Sequence, residues 1–244
     1  MKEIPDLYKN NLGNPIILAL DKAGKEGAIE IITELGRNVW GYKLGALLLK
    51  HGVPLLEEIR KEAGSVNLFI DLQFTGTPDF IIEAIGNYAL YSTEISYIVV
   101  NAAAGPPGIK AAVDTTRITR ILVGSVIDSL SIYDIKYIYG TDFPEEKTLQ
   151  FAKMAKAEEA DGIYCSSRDL EILSHYPDLR NLTKIVYGVR PSWDKNHGTH
   201  KYIMTPREAI ERGATKFVIG GTIRDAKDKI AVVKKILEEI NQRP

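Results

Sequence analysis

The chain has 244 residues, 45% of them hydrophobic, enough for one β/α barrel around a single large core. Its 31 basic and 32 acidic residues leave a formal net charge of -1. That balance argues against nucleic acid or a membrane surface as the main partner and favours a small polar ligand. The only cysteine, Cys165, excludes an intramolecular disulfide and fits a reducing cytoplasm. No signal-like stretch opens the sequence, and no run of about 18 apolar residues occurs, so a soluble protein is expected.

Short apolar runs alternate eight times with longer amphipathic stretches, the pattern of successive β/α units. In chain order the runs fall at 15–21, 39–44, 66–72, 96–101, 120–126, 162–165, 184–188 and 216–220. Most are almost continuously apolar, as parallel strands covered on both faces should be. The first helix is expected over 25–35, with Ala28, Ile29, Ile32 and Leu35 on one stripe. Pro78 and Pro144 stand where a first-turn proline is tolerated, each followed by carboxylates. The last helix, over 226–240, turns Ile230, Val233, Ile236, Leu237 and Ile240 inward. Eight units without a break in composition predict a closed TIM (β/α)8 barrel, one domain over residues 1–244 with a short N-terminal extension. An open doubly wound sheet satisfies the same pattern. The segment 188–205 is long for a βα connection and is a candidate lid.

Ligands of a barrel meet the C-terminal ends of its strands. Asp21, Lys43 and Asp71 lie at or near such ends, where a lone ion is costly to bury. Asp21 and Lys43 fall on neighbouring strands and are placed to pair; a belt of ion pairs closing the barrel is the plain structural alternative to a ligand site. The eighth strand runs into Gly220, Gly221 and Thr222, with Asp225 placed to cap a helix. Glycines there let backbone N–H groups approach a phosphate, although a glycine pair after a strand is often only a turn. His197 and His200 are read as loop residues rather than metal ligands, since no third ligand is spaced to match. Cys165 reads as core, and Ser125, Ser166 and Ser167 at strand ends are candidate hydrogen-bond donors.

The segments LALD ending at Asp21, YKLG around Lys43 and FIDLQFTGTPD over 69–79 resemble orotidine 5'-monophosphate decarboxylases. DGIYCSS from Asp161, GVRP from Gly188 and MTPREAIERGATKFVIGGTI from Met204 continue the resemblance in order along nearly the whole chain. The resemblance implies a TIM (β/α)8 barrel of the ribulose-phosphate-binding type and a homodimer. It also implies a cofactor-free, metal-free reaction that converts orotidine 5'-monophosphate to UMP and CO2. It assigns site roles to Asp21, Lys43 and Asp71, and a nucleotide or phosphosugar as the small-molecule partner.

Two positions of the D-x-K-x-x-D motif that the resemblance implies depart from it. Gln73 stands where the proton-donating lysine belongs, and Gly76 where the second aspartate belongs. At the phosphate end Gly221 replaces an arginine and His200 stands where a glutamine is usual; Arg190 and Arg224 are candidate substitutes. An amide donates a hydrogen bond but is no general acid at neutral pH, a loss of about 10²- to 10⁴-fold. Two readings follow: a decarboxylase with impaired or altered chemistry, its donor rearranged to Lys43 or Lys22, and a non-catalytic or repurposed barrel that binds a nucleotide, a phosphosugar or a protein.

Overall fold

The computed structural model describes residues 13–91, 94–195 and 201–241. Eight parallel strands close on themselves in chain order, with β1 paired to both β2 and β8. They are β1 (Ile16–Ala19), β2 (Gly41–Leu44), β3 (Leu68–Phe74), β4 (Ile95–Asn101), β5 (Arg120–Gly124), β6 (Gly162–Ser166), β7 (Thr183–Tyr187) and β8 (Lys216–Ile219). The closed order removes the open-sheet alternative. Each predicted run overlaps its strand; β3, β4, β6 and β7 reach one or two residues beyond their runs, and β1 stops at Ala19, so Asp21 sits in the turn beyond it.

Strand alternation divides the apolar side chains into two cores, because successive residues point to opposite faces. Ile17, Phe69, Tyr97, Val99, Leu122, Tyr164, Ile185 and Val218 fill the barrel interior. Their neighbours, among them Leu18, Tyr42, Ile70, Ile98, Val123, Ile163 and Phe217, pack outward beneath the helices. Phe69, Tyr97, Tyr164 and Tyr187 meet edge to face along the interior, at centroid separations of 5.0 to 6.2 Å.

The helices are α1 (Lys25–Leu35), α2 (Ala46–His51), α3 (Pro54–Ala63), α4 (Pro78–Ala89), α5 (Gly105–Thr115), α6 (Ile132–Tyr139), α7 (Pro144–Ala157), α8 (Leu170–Ser174), α9 (Pro206–Glu211), α10 (Gly221–Arg224) and α11 (Lys229–Asn241). Helix α1 has the expected bounds and buries Ile31 in addition to Ala28, Ile32 and Leu35, while Ile29 is half-buried. Pro78 and Pro144 begin α4 and α7, where the missing N–H costs nothing. Thr205 and Glu208 cap α9 reciprocally, and the two hydrogen bonds from Thr205 hold the Glu208 carboxyl below its ordinary value.

The end of the chain differs from expectation. Asp225 does not start a helix but ends the short α10, and the last helix begins at Lys229, with Asp228 Oδ1 accepting from Ala231 N at 2.8 Å. Segment 188–205 is zipped at its base: Met204 N donates to Gly188 O at 3.0 Å and Arg190 N to Met204 O at 2.9 Å. No helix of the described residues is long and apolar enough to cross a membrane.

Candidate active site

Parallel pairing brings β1, β2 and β3 together at one end of the barrel, and the register decides which side chains meet there. Ala19 pairs with Lys43, and Lys43 with Phe69, so the lysine points into the mouth between Asp21 and Asp71. Lys43 Nζ lies 2.6 Å from Asp21 Oδ2 and 3.0 Å from Asp71 Oδ2. Gly45 N donates to Asp21 Oδ1 at 2.7 Å, which fixes the carboxylate from the other side. Burial alone would raise the Asp21 carboxyl, but Lys43 and the Gly45 N–H outweigh it and hold it below its ordinary value. Burial alone would lower the Lys43 ammonium; Asp71 and then Asp21 outweigh it, and the amine keeps its proton more firmly than usual.

Gln73 extends this cluster across to β4. Its Nε2 donates to Asp71 Oδ1 at 2.8 Å, and its Oε1 accepts from Asn101 Nδ2 at 3.2 Å. Asn101 Oδ1 in turn accepts from Ala103 N at 2.9 Å. The amide therefore has a defined orientation, because a flip would set oxygen against carboxylate and donor against donor. The backbone bends to allow this. Register between β3 and β4 shifts after Ile70, and Gln73 adopts φ 51°, a left-handed conformation that costs a residue with a side chain about 1 kcal/mol or more.

Gly76 follows at φ 152°, and a Cβ there would stand 2.7 Å from the ring of Phe80. On the far side of the mouth, Tyr164 of β6 is pushed well above the ordinary phenol value, by burial first and then by Asp71. Tyr187 of β7 donates to Val126 O at 2.9 Å and is likewise raised, by burial and by Asp128.

A second polar group lies at the ends of β7 and β8. Arg190 Nη1 is 3.2 Å from Asp194 Oδ2, which also accepts from Thr222 Oγ1. Arg190 Nε and Trp193 Nε1 are buried without a hydrogen-bond partner among the described residues. Arg224 grips Asp225 with two hydrogen bonds, both 2.8 Å. Its guanidinium lies 3.7 Å from where a Cβ on Gly220 would be and 3.5 Å from one on Gly221. Gly220 is also 3.8 Å by the same measure from the Cβ of Ala19, the residue registered with Lys43, so the two polar groups share one wall.

The model of the orotidine 5'-phosphate decarboxylase / HUMPS family matches residues 14–236. The chain belongs to this family. It is 30% identical over 232 residues to an orotidine 5'-phosphate decarboxylase of Idiomarina loihiensis, covering 93% of this chain and 98% of that protein. A protein of the same name from Trichlorobacter lovleyi is 31% identical over 245 residues, covering 96% and 98%. The crystal structure of orotidine 5'-phosphate decarboxylase from Lactobacillus acidophilus superposes with a TM-score of 0.77 at 25% identity, covering 94% of this chain and all of that one.

Family membership leaves the individual positions to be judged by their surroundings. The structure gathers Asp21, Lys43, Asp71 and Gln73 into one hydrogen-bonded cluster. It sets Arg190, Gly220, Gly221 and Thr222 in the other group. Ser125 is apart from both: its Oγ donates to Thr148 Oγ1 of α7 at 2.8 Å, outside the barrel wall. Lys22 is exposed beyond β1 and makes no part of the cluster. His197 and His200 lie outside the described residues. Among the described residues no three of His, Cys, Asp and Glu converge as metal ligands. Cys165 is buried in the outer core, where burial raises its thiol well above the ordinary value.

Asn101 and Gly124 were missing from the sequence reading. Each falls two residues after an inward-facing one, Val99 and Leu122, and counting strand parity from those would have found both.

Proposed function

We propose that this barrel binds a pyrimidine nucleotide or a related phosphosugar in the mouth formed by Asp21, Lys43, Asp71 and Gln73, and that its decarboxylase chemistry is impaired. The observation that carries the reading is the Gln73 amide, held between Asp71 and Asn101 at the position where the family resemblance expects an ammonium group. Decarboxylation breaks a ring carbon–carboxylate bond and leaves its electron pair on that carbon, which then needs a neighbouring cation and a proton. Gln73 supplies neither. Lys43 is a poor substitute donor, since two carboxylates fix it and raise its pKa. The exposed position of Lys22 argues against that residue as well.

Within this reading Arg190 and Arg224 flank Gly220, Gly221 and Thr222 as the phosphate end, each guanidinium exchanging some of its present aspartate contact for the ligand. Dimerisation and a cytoplasmic setting belong to the same reading. The exposed Phe80 of α4 and the exposed Tyr133 and Tyr137 of α6 support a protein interface, to be tested by light scattering of the purified chain.

The deciding experiment follows the absorbance of orotidine 5'-monophosphate with purified protein. No turnover, or turnover far below about 1 s⁻¹, is expected; brisk conversion to UMP overturns the proposal. A second reading, a barrel with no chemistry at all, draws on the same amide. It separates from a slow enzyme by a single-turnover assay with protein in excess.

A further inference from the structure

The end of the barrel opposite the mouth carries a polar group of its own. Lys216 opens β8 and Arg120 opens β5, each two residues before an inward-facing one, Val218 and Leu122, so both side chains belong to the barrel floor. Trp40 and Tyr97 line this floor with ring centroids 5.3 Å apart. Lys216 Nζ stands 4.6 Å from the centre of the Trp40 ring, while Arg120 Nη1 donates to Tyr97 Oη at 2.9 Å. Neither cation has a carboxylate partner among the described residues, and Lys216 Nζ makes no hydrogen bond there. Asp161, the carboxylate that acts on Tyr97, accepts from Ile121 N at 2.8 Å instead.

Two neighbouring cations without an anion make the amine easier to deprotonate. Burial first and then Arg120 lower the Lys216 ammonium to about 8. At pH 8 about half of this amine is neutral, against roughly 0.3% of an ordinary lysine. The other buried lysines are committed elsewhere: Lys184 Nζ donates to the carbonyl groups of Leu179, Arg180 and Leu182, and Lys43 is held by two carboxylates. Lys216 is half-buried and Arg120 exposed, so a small solute reaches the amine from the solvent side.

We propose that Lys216 is a site of carbon dioxide capture, forming a carbamate that pairs with Arg120. The Nζ lone pair attacks the carbon of CO2, one C=O electron pair moves onto oxygen, and the nitrogen releases one proton to solvent. The carbamate supplies the anion that the floor lacks, turning two neighbouring cations into an ion pair. The site lies at the other end of the barrel from the mouth and is independent of the nucleotide reading.

Carbon NMR of the full chain, equilibrated with isotope-labelled CO2 at constant pressure, tests this. A carbamate resonance from Lys216 is expected, growing between pH 7 and pH 8 as the amine loses its proton. The chain's α-amino group, whose ordinary value is also near 8, gives a second resonance. Lys216→Met should remove the first and keep the second, and Arg120→Met should lower the first by about two- to fivefold, the worth of an exposed ion pair. A spectrum that Lys216→Met leaves unchanged, or a Lys216 signal indifferent to Arg120→Met, overturns the proposal. If Lys216→Met does not fold, a trialkyloxonium reagent applied to the unmodified chain fixes any carbamate as its ester for peptide mass spectrometry. An ester on Lys216 supports the proposal, and its absence there overturns it.

Discussion

A Cβ atom on Gly124 would collide with Oε1 of Gln73: the amide fills the space that the glycine leaves at the end of β5. Gly124→Ala should therefore expel the amide from its place between Asp71 and Asn101, or push β5 away from β3. Either response costs about 1–3 kcal/mol of stability, the usual penalty for overpacking. Urea denaturation of Gly124→Ala, Gln73→Ala and the double variant checks this. The double variant should recover most of the loss, because Gln73→Ala removes the colliding group; strictly additive losses would mean the two residues do not compete for space.

Lys43 bridges two carboxylates whose side chains are largely buried. Lys43→Met leaves them without a counter-charge and should destabilise the fold by about 3 kcal/mol at neutral pH. The folded-state pKa of Asp21 is depressed, so its contribution is present above its ordinary value and is lost as pH falls below about 4. The gap between the unmodified chain and Lys43→Met should accordingly shrink as pH is lowered through that region. A gap independent of pH would locate the loss in packing instead.

The strands were legible because each is a short apolar run between turn residues, and the mouth was legible in part because Asp21, Lys43 and Asp71 break such runs with charge. The link from Gln73 to Asn101 was not. It depends on the register shift after Ile70 and on the left-handed backbone at Gln73, and neither leaves a mark in the residue pattern. Ser125, a candidate donor from its place at a strand end, falls on the outer side of the wall by the same parity that turns Leu122 and Gly124 inward, and its hydroxyl goes to Thr148. The last helix was started too early, since Asp228 and not Asp225 accepts the N-terminal hydrogen bond.

Restoring the expected motif is not a neutral change. Gln73→Lys replaces one long polar side chain by another, but Gly76→Asp places a Cβ 2.7 Å from the Phe80 ring on a backbone at φ 152°. The Gly76→Asp single variant should lose about 1–3 kcal/mol through that strain. Adding Phe80→Ala, at a half-exposed ring, should return the steric part and leave the backbone part. Thermal unfolding of the three chains checks this, and any decarboxylation by a Gln73→Lys, Gly76→Asp double variant should be compared per folded molecule. Full stability of Gly76→Asp would show that the loop after β3 relaxes freely.

Asp169 carries the clearest pH signature outside the mouth. It is fully buried after β6, accepting from Thr148 Oγ1 at 3.1 Å and from Arg168 Nε at 3.2 Å. Burial nevertheless outweighs the pull of Arg168 and pushes its carboxyl up to about 6. An acid whose folded pKa is raised holds a proton that the unfolded chain has already released, so stability falls with rising pH across the interval between the two values. The fall begins near 4, is complete a little above 6 and amounts to roughly 3 kcal/mol at most. Asp169→Asn keeps an acceptor for Thr148 but cannot ionise, and should remove this component. Denaturant unfolding of both chains from pH 4 to pH 7 should show the unmodified protein losing ground to Asp169→Asn as pH rises. A constant difference over that range would mean that the buried carboxylate is ionised throughout, with Arg168 compensating it fully.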